Sequence, residues 1–221
     1  MIEDDDRLDE YILKHIEPES DFLHALYRAT NIHLLRPRMA SGHLQGRMLK
    51  MFVLMNRPQN VLEIGTYSGY SALCMAEGLP VGGKIYTFEI NDEQEAFTRP
   101  WIEKSDYADK IEFIIGDVMQ QLPSLVQKKQ LQFQMAFIDG DKRHYIDYYN
   151  TIFPYLSPGA VILADNTLWD GHVVEPEHQK DAQTRGVMAF NDYVNKDDRV
   201  EVVILPMRDG LSVIRKKDIN L

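Results

Sequence analysis

The sequence is poor in several features that would each fix a class of protein. It holds a single cysteine, Cys74, among 221 residues, which excludes an internal disulfide framework and makes a reducing compartment the simplest setting. No apolar run approaches the roughly 20 residues needed to cross a bilayer. The opening stretch MIEDDDRLDEY is acidic, where a secretory signal has a basic flank and an apolar core. A cytoplasmic location with no membrane partner is therefore expected. Base is also scarce. The balance of 24 Lys plus Arg against 34 Asp plus Glu gives −10, which disfavours a nucleic-acid partner because phosphate binding needs clustered base. Two motifs are missing as well: the glycine spacing G-x-G-x-x-G that seats a pyrophosphate, and any H-x-x-x-H pair among the seven histidines.

What is present is an alternation. The hydrophobic share of 44% is enough for one sizeable core, and a single domain over residues 1–221 is expected, with accessory helices in 1–57 and an α/β core in 58–221. Leu8, Tyr11, Ile12, His15 and Ile16 share one helical face that Pro18 ends, and Ser20 is placed to cap a second helix. A third helix follows Arg36-Pro37, and core packing is the expected role of its stripe Leu44, Met48, Met51, Phe52 and Met55. From Asn60 onward, strand-like runs at 61–65, 84–90, 110–115, 133–139 and 160–165 alternate with segments read as amphipathic helices near 70–77, 92–105, 118–127 and 143–156. That order predicts a Rossmann-like, doubly wound, mostly parallel α/β sheet of seven strands. Its last two strands flank Met207-Arg208-Asp209-Gly210, whose Asp-Gly step predicts an antiparallel hairpin.

Glu63, Glu89, Asp139 and Asp165 each stand where such a run gives way to a loop, and Asn166 adds an amide oxygen beside the last. Ligands of a parallel sheet collect along the carboxyl edge of its strands, so these groups suit cations. Glu63 lies two residues before Gly65 and would repel phosphates but attract a sulfonium or ammonium. Glu89 stands where an acidic side chain in this architecture accepts hydrogen bonds from ribose hydroxyls, and Asp117 where an acid can meet an adenine amino group. Asp139, Asp165 and Asn166 are hard oxygen donors that favour Mg²⁺, Mn²⁺ or Ca²⁺ over Zn²⁺, with Mg²⁺ first on availability. On spacing alone, an Asp-Asn pair also reads as a turn or helix-cap element, and Lys142 as a solvated loop lysine.

The runs VLEIGTYSGYSALCMA, FEIN, GD, FIDGDKRHY and LADNTLW resemble the class I S-adenosylmethionine-dependent O-methyltransferases, in particular the metal-dependent branch of catechol and caffeoyl-CoA O-methyltransferases. The resemblance spans about residues 38–216, and its most specific pieces are D-x-D-K-x-x-Y at 139–145 and Asp-Asn-Thr-Leu-Trp at 165–169. It implies that Glu63, Gly65, Tyr67 and Ser71 surround the methionine part of the cofactor, Glu89 the ribose and Asp117 the adenine. Met39 and Ser41 would close over it, and Asp139 would contribute both here and to the metal. It further implies that Asp139, Asp165 and Asn166 hold a divalent cation and that Lys142, its pKa lowered near the metal, is the general base. Relatives often carry Ala where this chain has Gly140. Relatives of this short type are commonly homodimers.

The activity so implied is methyl transfer from S-adenosylmethionine to one hydroxyl of a small vicinal-dihydroxy aromatic. A CoA-thioester acceptor of the caffeoyl type is the close rival, and Arg36, Arg38, Lys180 and Arg185 are candidates to meet its phosphates. A nicotinamide-dependent dehydrogenase and a non-catalytic cofactor-binding sensor are weaker alternatives. The segment 169–186 reads as a polar lid over the acceptor, with Arg185 holding that loop.

Overall fold

The computed structural model describes residues 6–218, so the outermost ends of the expected domain, 1–5 and 219–221, lie outside the described residues. Seven strands form: β1 (Asn60–Ile64), β2 (Lys84–Glu89), β3 (Ile111–Ile115), β4 (Phe133–Ile138), β5 (Leu156–Asp165), β6 (Val200–Leu205) and β7 (Leu211–Lys216). The helices are α1 (Asp6–His15), α2 (Asp21–His33), α3 (Gly42–Asn56), α4 (Tyr70–Gly78), α5 (Glu95–Lys104), α6 (Val118–Lys129), α7 (Tyr145–Ile152) and α8 (Ala182–Asn195). The sheet order is β3-β2-β1-β4-β5-β7-β6. β7 runs antiparallel to both of its neighbours, while the pairs β2–β3, β1–β4 and β4–β5 are parallel. The predicted α/β class, strand count and terminal hairpin are all present. Among the described residues no helix is long and apolar enough to cross a membrane.

The chain divides into two compact units, one drawn from the residues up to Gln59 with Thr66–Ile115, the other from Asn60–Gly65 with Gly116 onward. In the first, Ser20 caps α2 as predicted, its hydroxyl accepting from the Leu23 amide at 3.3 Å. The third helix departs from expectation. Its expected core stripe holds only in part: Met51 is 51% and Met55 66% exposed and Leu44, Met48 and Phe52 are half-buried, while Gln45, Gly46, Leu49 and Val53 are buried. The reason is close approach to α4. A Cβ on Gly46 would stand 2.6 Å from Cys74 Sγ, and one on Gly78 would stand 2.8 Å from the Lys50 carbonyl oxygen. Gly46 and Gly78 therefore set the closest approach, with Leu49 and Val53 buried beside them. α4 itself is not amphipathic, because Tyr70 through Ala76 are all buried. Such a helix reads as apolar all round, and the hydrophobic pattern alone cannot orient it.

Charge closes this packing. Arg47, 6% exposed, donates to Glu77 at 2.7 Å and lies 3.7 Å from Cys74 Sγ; Lys50 bridges Glu17 at 2.5 Å and Glu77 at 3.2 Å. Burial pushes the Cys74 thiol up to about 12 despite the opposing Arg47 charge.

In the second unit, β1, β4 and β5 are almost wholly buried along the stretch that precedes the predicted site residues. The hairpin turn closes with Gly210 N donating to Met207 O at 2.9 Å, and a side chain at Gly210 (φ +84°) would strike Leu168. This turn therefore packs directly on the loop that follows β5.

Candidate active site

The centre of the site follows from strand register. β4 and β5 pair with Ile138 opposite Ala164, so Asp139 and Asp165 are the next residues on two adjacent parallel strands, whose spacing is about 4.8 Å. Asp139 N donates to Ile64 O at 2.9 Å, which ties the end of β4 to β1. Gly65 is required by the same approach: at φ +98° its missing Cβ would fall onto the Asp139 carbonyl oxygen. Tyr145, fully buried, spans the two strand ends, its hydroxyl donating to Asp165 O at 3.0 Å and reaching Ile138 O at 3.3 Å. Burial holds its hydroxyl well above the ordinary tyrosine pKa.

Asp165 is 6% exposed, and its Oδ1 accepts from the Asn166 amide at 2.9 Å. Asn166 adopts φ +56°, a region that asparagine tolerates better than most residues. Its side-chain Nδ2 donates to Asp209 Oδ2 at 3.2 Å, which leaves the amide oxygen as the atom available to a ligand. Asp209 also accepts the Leu168 and Trp169 amides through its carbonyl, at 2.7 and 3.1 Å. Nothing in the sequence pattern marks Asp209: it lies in the hairpin turn, and only the fold brings residue 209 to residue 166.

Lys142 is buried at 7% exposure, not solvated. Its Nζ donates to Asp139 Oδ1 at 2.9 Å and to Gly140 O at 3.2 Å, and sits 5.2 Å from the Tyr145 ring centroid and 5.7 Å from that of Trp169. Burial alone would lower its pKa, but the Asp139 carboxylate, with Tyr145, outweighs burial and holds the ammonium well above the usual lysine value. Lys142 is thus the counter-ion of Asp139. The loop is held on both sides. Asp141 caps the following turn through the Arg143 amide at 3.0 Å, and Gly186 of α8 packs on the backbone of Lys142 so closely that a side chain there would clash. Gly140 faces Tyr148, whose Cε2 would lie 2.8 Å from an added Cβ.

Other residues of this unit are placed as follows. Glu63 is fully buried at the end of β1. Asp117 caps α6: its Oδ1 accepts from Met119 N at 2.9 Å and its Oδ2 from Gln120 Nε2 at 3.2 Å. Asn191 donates to Thr167 O at 2.7 Å and so anchors the loop after β5. Arg185 is exposed on α8.

In the first unit, Glu89 ends β2 and accepts one backbone amide on each oxygen, Tyr67 N at 2.8 Å and Asn91 N at 2.9 Å. One lone pair on each oxygen stays available, the pattern a pair of vicinal hydroxyls would meet. Tyr67 sits at φ +46°, its carbonyl accepting from the Thr98 hydroxyl, and burial pushes its own hydroxyl pKa up. Ser71 is buried in the first turn of α4, Ser41 is buried just before α3, and Met39 is half exposed in the short turn Pro37–Met39. Direct hydrogen bonds thus join Tyr67 to Glu89 and Lys142 to Asp139, while Asp117 is engaged in its own helix cap.

Comparison with known proteins finds methyltransferases. A caffeoyl-CoA O-methyltransferase of Eucalyptus gunnii is 36% identical over 192 residues, covering 83% of this chain and 76% of the relative. Caffeoyl-CoA O-methyltransferase 5 of Nicotiana tabacum is 36% identical over 225 residues, covering 96% and 91%. An O-methyltransferase from Bacillus cereus, solved in complex with SAH, superposes with a TM-score of 0.89 at 27% identity over 96% of this chain and 97% of that one. An SAH-bound methyltransferase of Podospora anserina gives 0.86 at 28%, covering 96% and 95%. The model of the O-methyltransferase family matches residues 14–217, and the chain belongs to that family.

Proposed function

We propose that this enzyme transfers a methyl group from S-adenosylmethionine to one oxygen of a vicinal-dihydroxy aromatic acceptor with the help of a divalent cation. The observation that carries the reading is the Ile138–Ala164 register, which sets Asp139 and Asp165 side by side with Asn166 next in the chain and Lys142 buried against Asp139. The donor set fits a hard cation: two carboxylates and an amide oxygen, with no sulfur. A cation held there, Mg²⁺ first, supplies the positive charge that lowers a phenol's pKa from its ordinary value near 10. Asp209 fixes the Asn166 amide, and Tyr145 fixes the backbone of Asp165, so these donors are oriented before any ligand arrives. Lys142 presents its ammonium to the acceptor oxygen and stabilises negative charge there, while the rings of Tyr145 and Trp169 keep bulk water from Nζ.

S-Adenosylmethionine supplies the activated methyl, and the SAH-bound neighbours support that choice. Glu63, Gly65, Tyr67 and Ser71 are assigned to its methionine part, Glu89 to the ribose hydroxyls and Asp117 to the adenine. Met39 and Ser41 are assigned to its cover, with Asp139 at the methyl end. A CoA-linked acceptor is the second reading, favoured by the caffeoyl-CoA enzymes among the relatives. Rates with catechol, caffeate and caffeoyl-CoA, each before and after chelation, test both. Metal-restored turnover is expected; unchanged turnover after complete metal removal rejects the metal-assisted form, and a preference for the thioester above about tenfold in kcat/KM, or about 1.4 kcal/mol, selects the second acceptor.

A further inference from the structure

The segment between Trp169 and Asp181 carries a constellation that methyl transfer does not use. His172, Glu175 and His178 each offer one ligand atom, and these atoms lie within 4.8 Å of one another, the one such group of three His, Cys, Asp or Glu side chains among the described residues. The backbone explains the convergence. Glu175 N donates to His172 O at 3.2 Å, His178 N to Glu175 O at 3.1 Å and Asp181 N to His178 O at 3.0 Å. Three successive i→i+3 turns, with an extended Glu175 between the first two, fold the chain back so that the side chains of residues 172, 175 and 178 converge. Left-handed conformations at Trp169, Asp170 and Gly171 (φ +47°, +54° and +81°) turn the chain into this run.

The side chains are near enough to one another to reach one small cation. His178 Nε2 and Glu175 Oε2 are 3.2 Å apart, close to the edge of a tetrahedron with bonds of about 2.0–2.1 Å. The His172 and His178 rings stack with centroids 3.7 Å apart and planes 10° off parallel. Because each imidazole lone pair lies in its ring plane, both rings bind one ion only after at least one turns out of this stack, a rotation that partly exposed side chains can make. All three residues are only partly buried, so solvent and ions reach them.

We infer that His172, Glu175 and His178 form a second metal site, separate from the hard-oxygen donors at the ends of β4 and β5, that takes Zn²⁺ or a similar late transition metal and pins the turns between β5 and α8. Two imidazoles and one carboxylate leave a fourth position to water, and imidazole selects Zn²⁺ over Mg²⁺. The start of this segment is already tied to Asp209 and its end to the Asp181 cap of α8, whose carboxylate accepts from Thr184 N at 2.7 Å. Metal across its middle would cross-link the part that has only turn hydrogen bonds on its backbone.

Calorimetric titration of the full chain with Zn²⁺ in excess Mg²⁺ tests this without reference to turnover. One equivalent of Zn²⁺ is expected to bind, with a rise in Tm and with shifted His172 and His178 ring resonances that Mg²⁺ does not produce. His172→Ala and His178→Ala should each weaken binding by more than about tenfold, and the double variant should abolish it. Both positions are partly exposed, and an unchanged metal-free Tm verifies that the variants fold. Absence of Zn²⁺ binding in excess Mg²⁺ overturns the inference, and so does binding that persists unchanged in the double variant. Neither result bears on the Mg²⁺ dependence of methyl transfer, which is read separately.

Discussion

The ends of β4 and β5 and the turns at 172–178 gather polar side chains by opposite means. At the strand ends, residues distant in sequence meet because the sheet register puts them there, and buried groups such as Tyr145 and Lys142 hold them. In the turns, residues three apart meet through local backbone geometry alone, at the surface. The first arrangement supplies hard oxygen donors at buried strand ends; the second supplies imidazole on partly exposed turns whose backbone hydrogen bonds run three residues apart. If both proposed sites bind, donor type is what sorts their cations.

Substitutions should separate the two regions, beginning with the largest effect. Asp165→Asn removes one charge from the strand-end donors and should lower kcat by about 10²-fold or more, while calorimetry shows S-adenosylmethionine affinity unchanged and the Zn²⁺ titration of the turns intact. Loss of both metals in this variant would merge the sites and break the contrast. Lys142→Met should cost a similar factor, within the roughly 10²–10⁴-fold range of proton-transfer groups. It should also lower Tm, because it leaves the partly buried Asp139 carboxylate without its counter-ion. Lys142→Arg decides the role. Substantial recovery of kcat marks a fixed positive charge, and none, with loss of the acid limb of the pH profile, marks a general base.

A smaller effect is expected at Gly140. An added methyl would lie 2.8 Å from Tyr148, so Gly140→Ala should destabilise by about 1–3 kcal/mol through overpacking, read as a drop in Tm. Tyr148→Phe does not relieve it, because Cε2 is retained; Tyr148→Leu should. The smallest effect concerns Cys74, the lone thiol and the alternative soft ligand. Buried, with its pKa pushed up to about 12 by burial, it stays protonated at neutral pH. Cys74→Ala should leave Zn²⁺ binding unchanged, and the native thiol should react with a disulfide reagent at pH 8 only on unfolding. The folded pKa lies above the unfolded one, so the stability from burying the neutral thiol is complete below about pH 8.5 and lost as pH rises towards 12.

The alternation of β-branched runs with helical stretches was legible because crossover units repeat one pattern, and the four strand-end carboxylates followed from it. Helix orientation was not legible. α4 is buried on every side, and the exposed methionines of α3 looked like core because its true contact face is made of Gly46 and its neighbours. Asp209 was hidden because turn residues carry no periodicity, and the burial of Lys142 because three-residue spacing from Asp139 does not say which way the side chain folds. The 172–178 group escaped for a different reason. Histidines four apart mark a shared face only in an α-helix, whereas this segment repeats every three residues. Spacing of three is the signal that marks it.

β7 follows β6 in the chain yet lies between β6 and β5, hydrogen-bonded to both. Until residues 211–216 emerge during synthesis, β5 and β6 each present an unpaired edge to any extended polypeptide nearby, the condition that favours aggregation. A chain cut short before Leu211 would therefore lose more than one strand: it would carry two sticky borders and no Asp209–Gly210 turn held in place to steady Asn166. Premature termination there should yield inclusion bodies instead of a weakened enzyme.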